Sequence, residues 1–243
     1  MKKSLIFNLF IICCLFICVQ AESPRQKLEG LKNQTISFNG EMKIYRNGRE
    51  YIKRYNYYND GFGKAMINLI FPETEAGAKI FYNDENIWLS EGKVVMKFNN
   101  SEAEKAVFGS DLTFSELKAL SIENEYNYNE VVVEKNANYH IVDLIKKGAR
   151  GYFSKIRIFY NVKKEAIDKF EFFDKQGKNY KTVFFMEYTN VKGYNLPTLR
   201  KVVNNLIPGN YTEVYLRDIK IGGVLQLKEG NLDKVFDLLK SGL

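Results

Sequence analysis

The stretch Phe108-Gly109-Ser110-Asp111-Leu112-Thr113-Phe114-Ser115-Glu116-Leu117 lies in the middle of a chain whose other segments mostly have the patterns of strands. Thr113 and Glu116 have the spacing of a capping box, in which the hydroxyl and the carboxylate each accept a hydrogen bond from an unpaired backbone N–H group. Leu112 and Leu117 are placed to form the hydrophobic staple that fixes how the chain enters such a helix. The stretch therefore predicts a short helix that begins at Thr113 and covers another apolar surface.

Upstream of this stretch, the sequence predicts a β-hairpin. Residues 36–44 alternate apolar and polar side chains, which is the period of a half-buried strand. Asn47-Gly48 favours a two-residue type I′ turn, because both residues tolerate positive φ. Residues 49–59 then form the antiparallel partner strand, which Gly61 and Gly63 end.

Short strand patterns continue at regular spacing on both sides of the predicted helix, and polar turns separate them, as in an antiparallel meander. We expect about ten or more consecutive strands and three short helices, at residues 24–32, at Thr113 and after Asn231. The spacing of Leu232, Val235, Phe236 and Leu239 gives the last helix one apolar stripe. A sheet this large must curl or close to protect its edges. The predicted fold class is mainly β (α+β), with a strongly curved, half-open antiparallel sheet or incomplete barrel whose concave face is covered by short helices.

The first 21 residues have the organisation of a secretory signal peptide. Lys2 and Lys3 precede an apolar run over residues 5–19, and Val19-Gln20-Ala21 is a small-x-small cleavage site. The run is about 15 residues long, short of the roughly 20 that a helix needs to cross a bilayer. We predict that residues 1–21 are removed, and that residues 22–243 form a single domain in the periplasm.

All three cysteines, Cys13, Cys14 and Cys18, lie in the predicted signal peptide. The mature chain therefore has no disulfide and depends on its core for stability. A lipoprotein form acylated at Cys18 is the alternative, although Ile17 is large for the position before that processing site.

The residue inventory gives little support for catalysis. His140 is the only histidine and lies mid-strand, where a hydrogen-bonded structural histidine is typical. The mature chain has no cysteine for a nucleophile or a thiolate metal site, and no Gly-rich phosphate loop. We therefore predict no enzymatic activity, no catalytic residue, no metal and no cofactor.

The charge balance also argues against a nucleic-acid partner. Removing Lys2 and Lys3 lowers the net charge from +7 to +5, and the remaining surplus is mild and dispersed. Arg46, Arg49 and Arg54 alternate with tyrosines, which is the pattern of the solvated face of a strand pair in an exported protein.

Aromatic residues make up 14% of the chain, and many of them lie on predicted strands. A strongly curved sheet has more inward-facing positions than it can fill by itself, and its mouth is a common place for an apolar ligand pocket. Each of these aromatic residues taken alone would be interpreted as part of the core. Their number taken together favours a ligand cavity. The candidate cavity-lining residues are Phe38, Met42, Ile67, Leu69, Phe71, Ile80, Trp88 and Phe98.

Three segments resemble the LolA-like family of outer-membrane lipoprotein-sorting proteins. Residues 77–88 resemble a strand pair of that family, residues 108–117 resemble its Gly-Ser-Asp helix start, and Tyr194-Asn195-Leu196-Pro197 resembles a late segment before a basic strand. The resemblance extends from about Leu28 to the final strand. It implies a half-open sheet that wraps around a hydrophobic cavity, with short helices as lids.

The resemblance also implies a function. A protein of this kind would hold lipid or the acyl chains of lipoproteins for transfer toward the outer membrane. Its partners would be an inner-membrane transporter or release complex and an outer-membrane acceptor. The best-studied carrier of the family uses an arginine on an early strand to hold its lid closed, and no motif places that arginine here. The apolar residues of the expected lid helix are Leu112, Phe114, Leu117 and Leu120.

Two other functions remain open at this point. The same fold could serve as an envelope sensor or interaction module that binds a regulatory protein partner. An envelope hydrolase is the weaker alternative, since it would have to use His140 or a pair of carboxylates.

Overall fold

The computed structural model describes residues 34–83, 86–92, 94–98, 106–113, 127–147, 153–164, 166–223 and 232–241. The predicted signal peptide, the predicted N-terminal helix and residues 114–120 of the predicted lid helix lie outside these ranges. None of the helices in the described ranges has the length and apolar character needed to cross a bilayer.

Thirteen strands in the described ranges form one antiparallel sheet. The strands before the central connection are β1 (Ile36–Arg46), β2 (Arg49–Asn59), β3 (Ala65–Phe71), β4 (Lys79–Tyr82), β5 (Ile87–Glu91) and β6 (Val94–Phe98). The strands after it are β7 (Asn127–Lys135), β8 (Tyr139–Lys147), β9 (Phe153–Asn161), β10 (Ala166–Asp174), β11 (Asn179–Val191), β12 (Tyr194–Asn204) and β13 (Tyr211–Ile221). A helix, α1 (Leu232–Ser241), follows the last strand.

The sheet is a meander whose first and last strands meet in its centre. The strand order is β6-β5-β4-β3-β2-β1-β13-β12-β11-β10-β9-β8-β7, so β1 pairs with β13. The two edges are β6 and β7, which follow one another in the chain and are not paired with each other among the described residues. The sheet is therefore curved and half-open, and the predicted fold class is confirmed.

The first hairpin has the predicted turn and register. Asn47 and Gly48 both have positive φ, 51° and 73°, as a type I′ turn requires. β2 has the predicted bounds, and β1 pairs with it in register from Ile36↔Asn59 to Arg46↔Arg49.

One face of the sheet, the core face, carries a large apolar cluster that extends from β5 through the central strands to β8 and β9. Alternate residues of the central strands supply it, as the pleat of a strand dictates. Aromatic rings meet inside it: Phe38 stacks on Tyr57 with ring centroids 4.5 Å apart, and Phe170 packs edge-on against Phe185 at 5.0 Å. Burial of this area is the main force that holds the strands in one curved sheet.

The opposite face, the helix face, carries α1. Met66, Phe81 and Trp88 form a row across β3, β4 and β5, since Met66 pairs with Phe81 and Phe81 with Trp88. The predicted apolar stripe of α1 packs on this row, and the fully buried Phe236 lies edge-on to Phe81 and Trp88 at 6.2 and 5.5 Å. An ion pair between Lys64 and Asp233 holds the first turn of the helix.

Candidate ligand-binding site

The core face is covered in part by the connection between β6 and β7. We call its described portion, residues 106–113, the covering segment. It contains a 3-10 turn, Val107–Gly109, and closes on itself through the Ala106↔Thr113 bridge and a 2.7 Å hydrogen bond from Val107 N to the Leu112 carbonyl. Val107 is buried in the large apolar cluster, and Phe108 and Leu112 pack against it.

Polar contacts anchor the covering segment at the centre of the sheet. The Thr212 hydroxyl on β13 donates to Asp111 Oδ2 at 2.8 Å and accepts from the Asp111 backbone N–H at 3.1 Å. Arg46, the last residue of β1, donates to the Ser110 carbonyl at 3.0 Å, and its guanidinium lies 3.5 Å from Asp111 Oδ1. The Asp111 side chain is only 1% exposed, so these partners compensate for the loss of its contacts with water.

The sequence alone does not indicate that Arg46 anchors the covering segment. The Asn47-Gly48 turn places Arg46 at the end of β1, but its contact with Ser110 joins residues 64 positions apart. Such a pairing leaves no local pattern in the sequence. The Phe108-to-Leu117 stretch was recognised as an organising element, whereas its partners on β1 and β13 were not.

Six of the eight residues predicted to line a cavity lie on the core face. They come from β1, β3, β4 and β6, and each is buried in the large apolar cluster or packed against it: Phe38, Met42, Ile67, Leu69, Ile80 and Phe98. Leu112 of the predicted lid packs on the same cluster, and the predicted lid residues Phe114, Leu117 and Leu120 lie outside the described residues.

The other two predicted residues, Phe71 and Trp88, do not lie on the core face. A bulge at the end of β3 makes Arg54 pair with Phe71 while Tyr55 pairs with Leu69, which turns Phe71 to the side of Arg54. The Phe71 ring is 37% exposed and lies 5.1 Å from the Arg54 guanidinium carbon. Trp88 belongs to the helix face because its neighbours Ile87 and Leu89 point to the core face.

A few polar groups are buried on the core face. The Tyr82 hydroxyl donates to the Tyr57 hydroxyl at 3.3 Å, and Tyr57 is 1% exposed. Burial raises the pKa of the Tyr57 phenol, while hydrogen bonds from Tyr82 and Asn59 and the charge of Arg200 oppose that rise in its pKa. Tyr57 is therefore a neutral hydroxyl at physiological pH.

Within the described ranges, the candidate for catalysis singled out in the sequence is His140. His140 is half-buried on β8, with its ring centroid 6.0 Å from that of Tyr160. Across the described ranges, no group of three or more His, Cys, Asp or Glu side chains is placed to hold a metal ion.

Solved structures of other proteins share the fold of this open sheet. A DUF1329 family protein from Desulfovibrio piger superposes with a TM-score of 0.69 at 18% identity, over 83% of this chain and 91% of that one. The LolA superfamily protein NE2245 from Nitrosomonas europaea superposes with a TM-score of 0.67 at 16% identity, over 83% of this chain and 92% of that one. A putative outer membrane lipoprotein-sorting protein domain from Vibrio parahaemolyticus superposes with a TM-score of 0.68 at 16% identity, over 84% of this chain and 92% of that one.

A family model described by the words "Uncharacterized protein" matches residues 63–228. The match spans more than half of the chain, and the chain belongs to that family. The comparison with curated proteins found no match.

Proposed function

We propose that this protein is a non-enzymatic carrier of the periplasm that holds lipid, or the acyl chains of lipoproteins, against its core face. The observation that carries the proposal is the large apolar cluster on one face of an open sheet, covered in part by a segment that polar contacts from Thr212 and Arg46 anchor. The names of two similar structures, a LolA superfamily protein and a lipoprotein-sorting domain, support the same class of function.

Exposed apolar residues on the two edge strands support a route for an apolar ligand. β6 exposes Val94 and Met96, and β7 exposes Val131, Val132 and Val133, each by 43% or more. Edge strands of soluble proteins usually carry charges or are covered, because exposed apolar edges promote association. We propose that an acyl chain passes between these two edges to reach the core face.

The energetics of acyl-chain burial are sufficient for tight binding. Each buried CH₂ contributes about 0.8 kcal/mol. Burial of most of a long acyl chain therefore outweighs the free-energy cost of association. Release then requires displacement of the covering segment or a competing acceptor, since tight complexes dissociate slowly. An inner-membrane transporter or release complex and an outer-membrane acceptor are the partners that such a cycle requires.

Lipid extraction tests the proposal. The protein would be purified from a periplasmic extract without detergent, extracted with organic solvent, and analysed by mass spectrometry for bound lipid. We expect acyl-chain material at about one molecule per protein, in line with one cluster of this size. A lipid-free protein that also fails to bind added fatty acids and acylated peptides would contradict the carrier function.

A further inference from the structure

Arg200 places a buried positive charge on the core face. It lies on β12, where its register partners are Phe185 on β11 and Val214 on β13. Directly paired residues of neighbouring antiparallel strands point to the same side of a sheet, and both partners belong to the large apolar cluster. Arg200 is only 9% exposed.

The guanidinium of Arg200 lacks partners for two of its nitrogen atoms. Nε and Nη2 are buried and have no hydrogen-bond acceptor among the described residues. An arginine cannot lose its charge in a protein, and a buried charge without a partner is strongly unfavourable. By contrast, Arg54 and Arg157 on the other side of the sheet donate to Glu41 and Asp143 at 2.8 and 2.6 Å.

Tyr57 cannot act as the counter-ion of Arg200. Tyr57 is close enough for the charge of Arg200 to act on the pKa of its phenol, but burial is the larger effect and keeps the phenol neutral. A neutral hydroxyl can share a hydrogen bond with a bound anion without repelling it. Among the described residues, the surroundings thus combine a guanidinium with two unpartnered nitrogen atoms, a buried hydroxyl and an apolar wall.

We propose that Arg200 binds the anionic head group of an amphiphile whose acyl chain lies on the core face. The head group is a carboxylate or a phosphate monoester, because two parallel N–H donors of a guanidinium match both groups. This inference rests on the proposed carrier function and adds the chemical class of its ligand.

Binding of three amphiphiles with the same chain tests the inference. Palmitate, 1-palmitoyl-lysophosphatidate and neutral 1-palmitoylglycerol would be titrated, below their critical micelle concentrations, into the mature protein. We expect the wild type to bind one of the anionic amphiphiles at least about tenfold more tightly than the neutral one, since charged hydrogen bonds are the strong ones. Tighter binding of palmitate would identify the head group as a carboxylate, and tighter binding of the lysophosphatidate would identify it as a phosphate.

Two variants assign the preference to Arg200. In Arg200→Met, the affinities for the anionic and neutral amphiphiles should differ by no more than about twofold, because only the shared acyl chain then contributes to binding. Lys201→Met is the matched control, because it removes the same charge from the next residue, whose Nζ lies 3.5 Å from Glu213 and over the Tyr211 ring at 3.9 Å. That variant should keep the wild-type preference. Retention of the preference in Arg200→Met, or its loss in both variants, would overturn the inference.

Thermal unfolding of the wild type gives a readout that needs no variant. The preferred anionic amphiphile should raise Tm more than the neutral one at equal concentration. Equal shifts in Tm would contradict the head-group assignment without contradicting the carrier function. Absence of binding by all three amphiphiles would contradict both.

Discussion

The Thr212 hydroxyl and Asp111 hold each other by two hydrogen bonds, one from the hydroxyl to the carboxylate at 2.8 Å and one from the Asp111 N–H to the hydroxyl at 3.1 Å. Thr212 is fully buried, and it lies 101 positions from Asp111 in the chain. This pair joins the covering segment to the strand that closes the centre of the sheet.

Thr212→Val keeps the shape of the side chain and removes both hydrogen bonds. Because a buried carboxylate and a buried N–H each lose a partner, we expect the free energy of unfolding to fall by about 1–3 kcal/mol. Hydrogen exchange should also accelerate over the covering segment before it does in β1 or β13. Urea unfolding and exchange mass spectrometry measure the two effects.

Thr198→Val is the control for this substitution. Thr198 lies on the neighbouring strand, and its hydroxyl donates to the Glu187 carbonyl at an exposed position. That variant should change stability by less than about 0.5 kcal/mol, as surface substitutions usually do. Equal effects of the two variants would show that Thr212 has no special role in anchoring.

Arg46→Met should loosen the covering segment at its other anchor. The substitution removes the hydrogen bond to the Ser110 carbonyl and the charge that faces Asp111. If this anchor contributes about 1.4 kcal/mol to closure, a bound fatty acid should leave roughly tenfold faster. Stopped-flow displacement of a fluorescent fatty acid measures the rate.

The control is Arg49→Met, which removes an exposed charge from the residue that pairs with Arg46 across the hairpin. Its release rate should match the wild type. An unchanged rate in Arg46→Met would mean that release does not require the segment to move.

Gly40→Ala should destabilise the protein through Tyr55. A Cβ at Gly40 would lie 2.1 Å from Cζ of the Tyr55 ring, so the ring has to move out of the core. We expect a loss of about 1–3 kcal/mol, which is typical of overpacking. In a Tyr55→Leu background the shorter side chain leaves room, and the same glycine change should cost much less. A double-mutant cycle measured by urea unfolding checks this, and simple additivity of the two changes is the contrary outcome.

Asp143 gives a pH-dependent prediction. Burial alone would raise the pKa of this carboxyl, but hydrogen bonds from Arg157 and Lys155 outweigh it and lower the pKa below its ordinary value. The stabilisation is therefore complete above the pKa of the unfolded chain, about 4. It is lost as the pH falls through the lower pKa of the folded protein.

We expect Asp143→Asn to lower the free energy of unfolding at pH 7 by about 1–3 kcal/mol. The difference in free energy of unfolding between variant and wild type should become smaller as the pH falls below about 4. Urea unfolding at several pH values measures this difference, and Asp237→Asn, at an exposed position of α1, is the control. A difference that grows in acid would contradict the assigned direction.

Local patterns predicted the fold well because the meander depends on local signals. The Asn47-Gly48 turn set the first hairpin, the bounds of β2 were predicted to the residue, and the apolar stripe of α1 was read from its spacing. β12 begins at Tyr194, directly after a tight turn in which Lys192 and Gly193 both have positive φ, and the sequence analysis did not predict this turn.

The candidate site was predicted only in part, because two of its features depend on long-range geometry. Alternation shows that Ile87 and Trp88 point to opposite faces, but it cannot tell which face carries the larger core when both are apolar. The bulge that turns Phe71 outward has no clear local signature. Arg46 and Arg200 looked like ordinary basic strand residues, and only the pairing of distant strands shows where their charges lie.

Photo-crosslinking tests the central claim most directly, since it locates the ligand on one face of the sheet. A palmitate analogue with a diazirine near the end of its chain would be bound, irradiated and mapped by peptide mass spectrometry. The carrier account predicts saturable labels on core-face residues such as Phe38, Met42, Ile67 and Leu69, which excess palmitate prevents. Labels confined to Met66, Phe81 and Trp88 on the helix face, or labels that excess palmitate does not prevent, would contradict it.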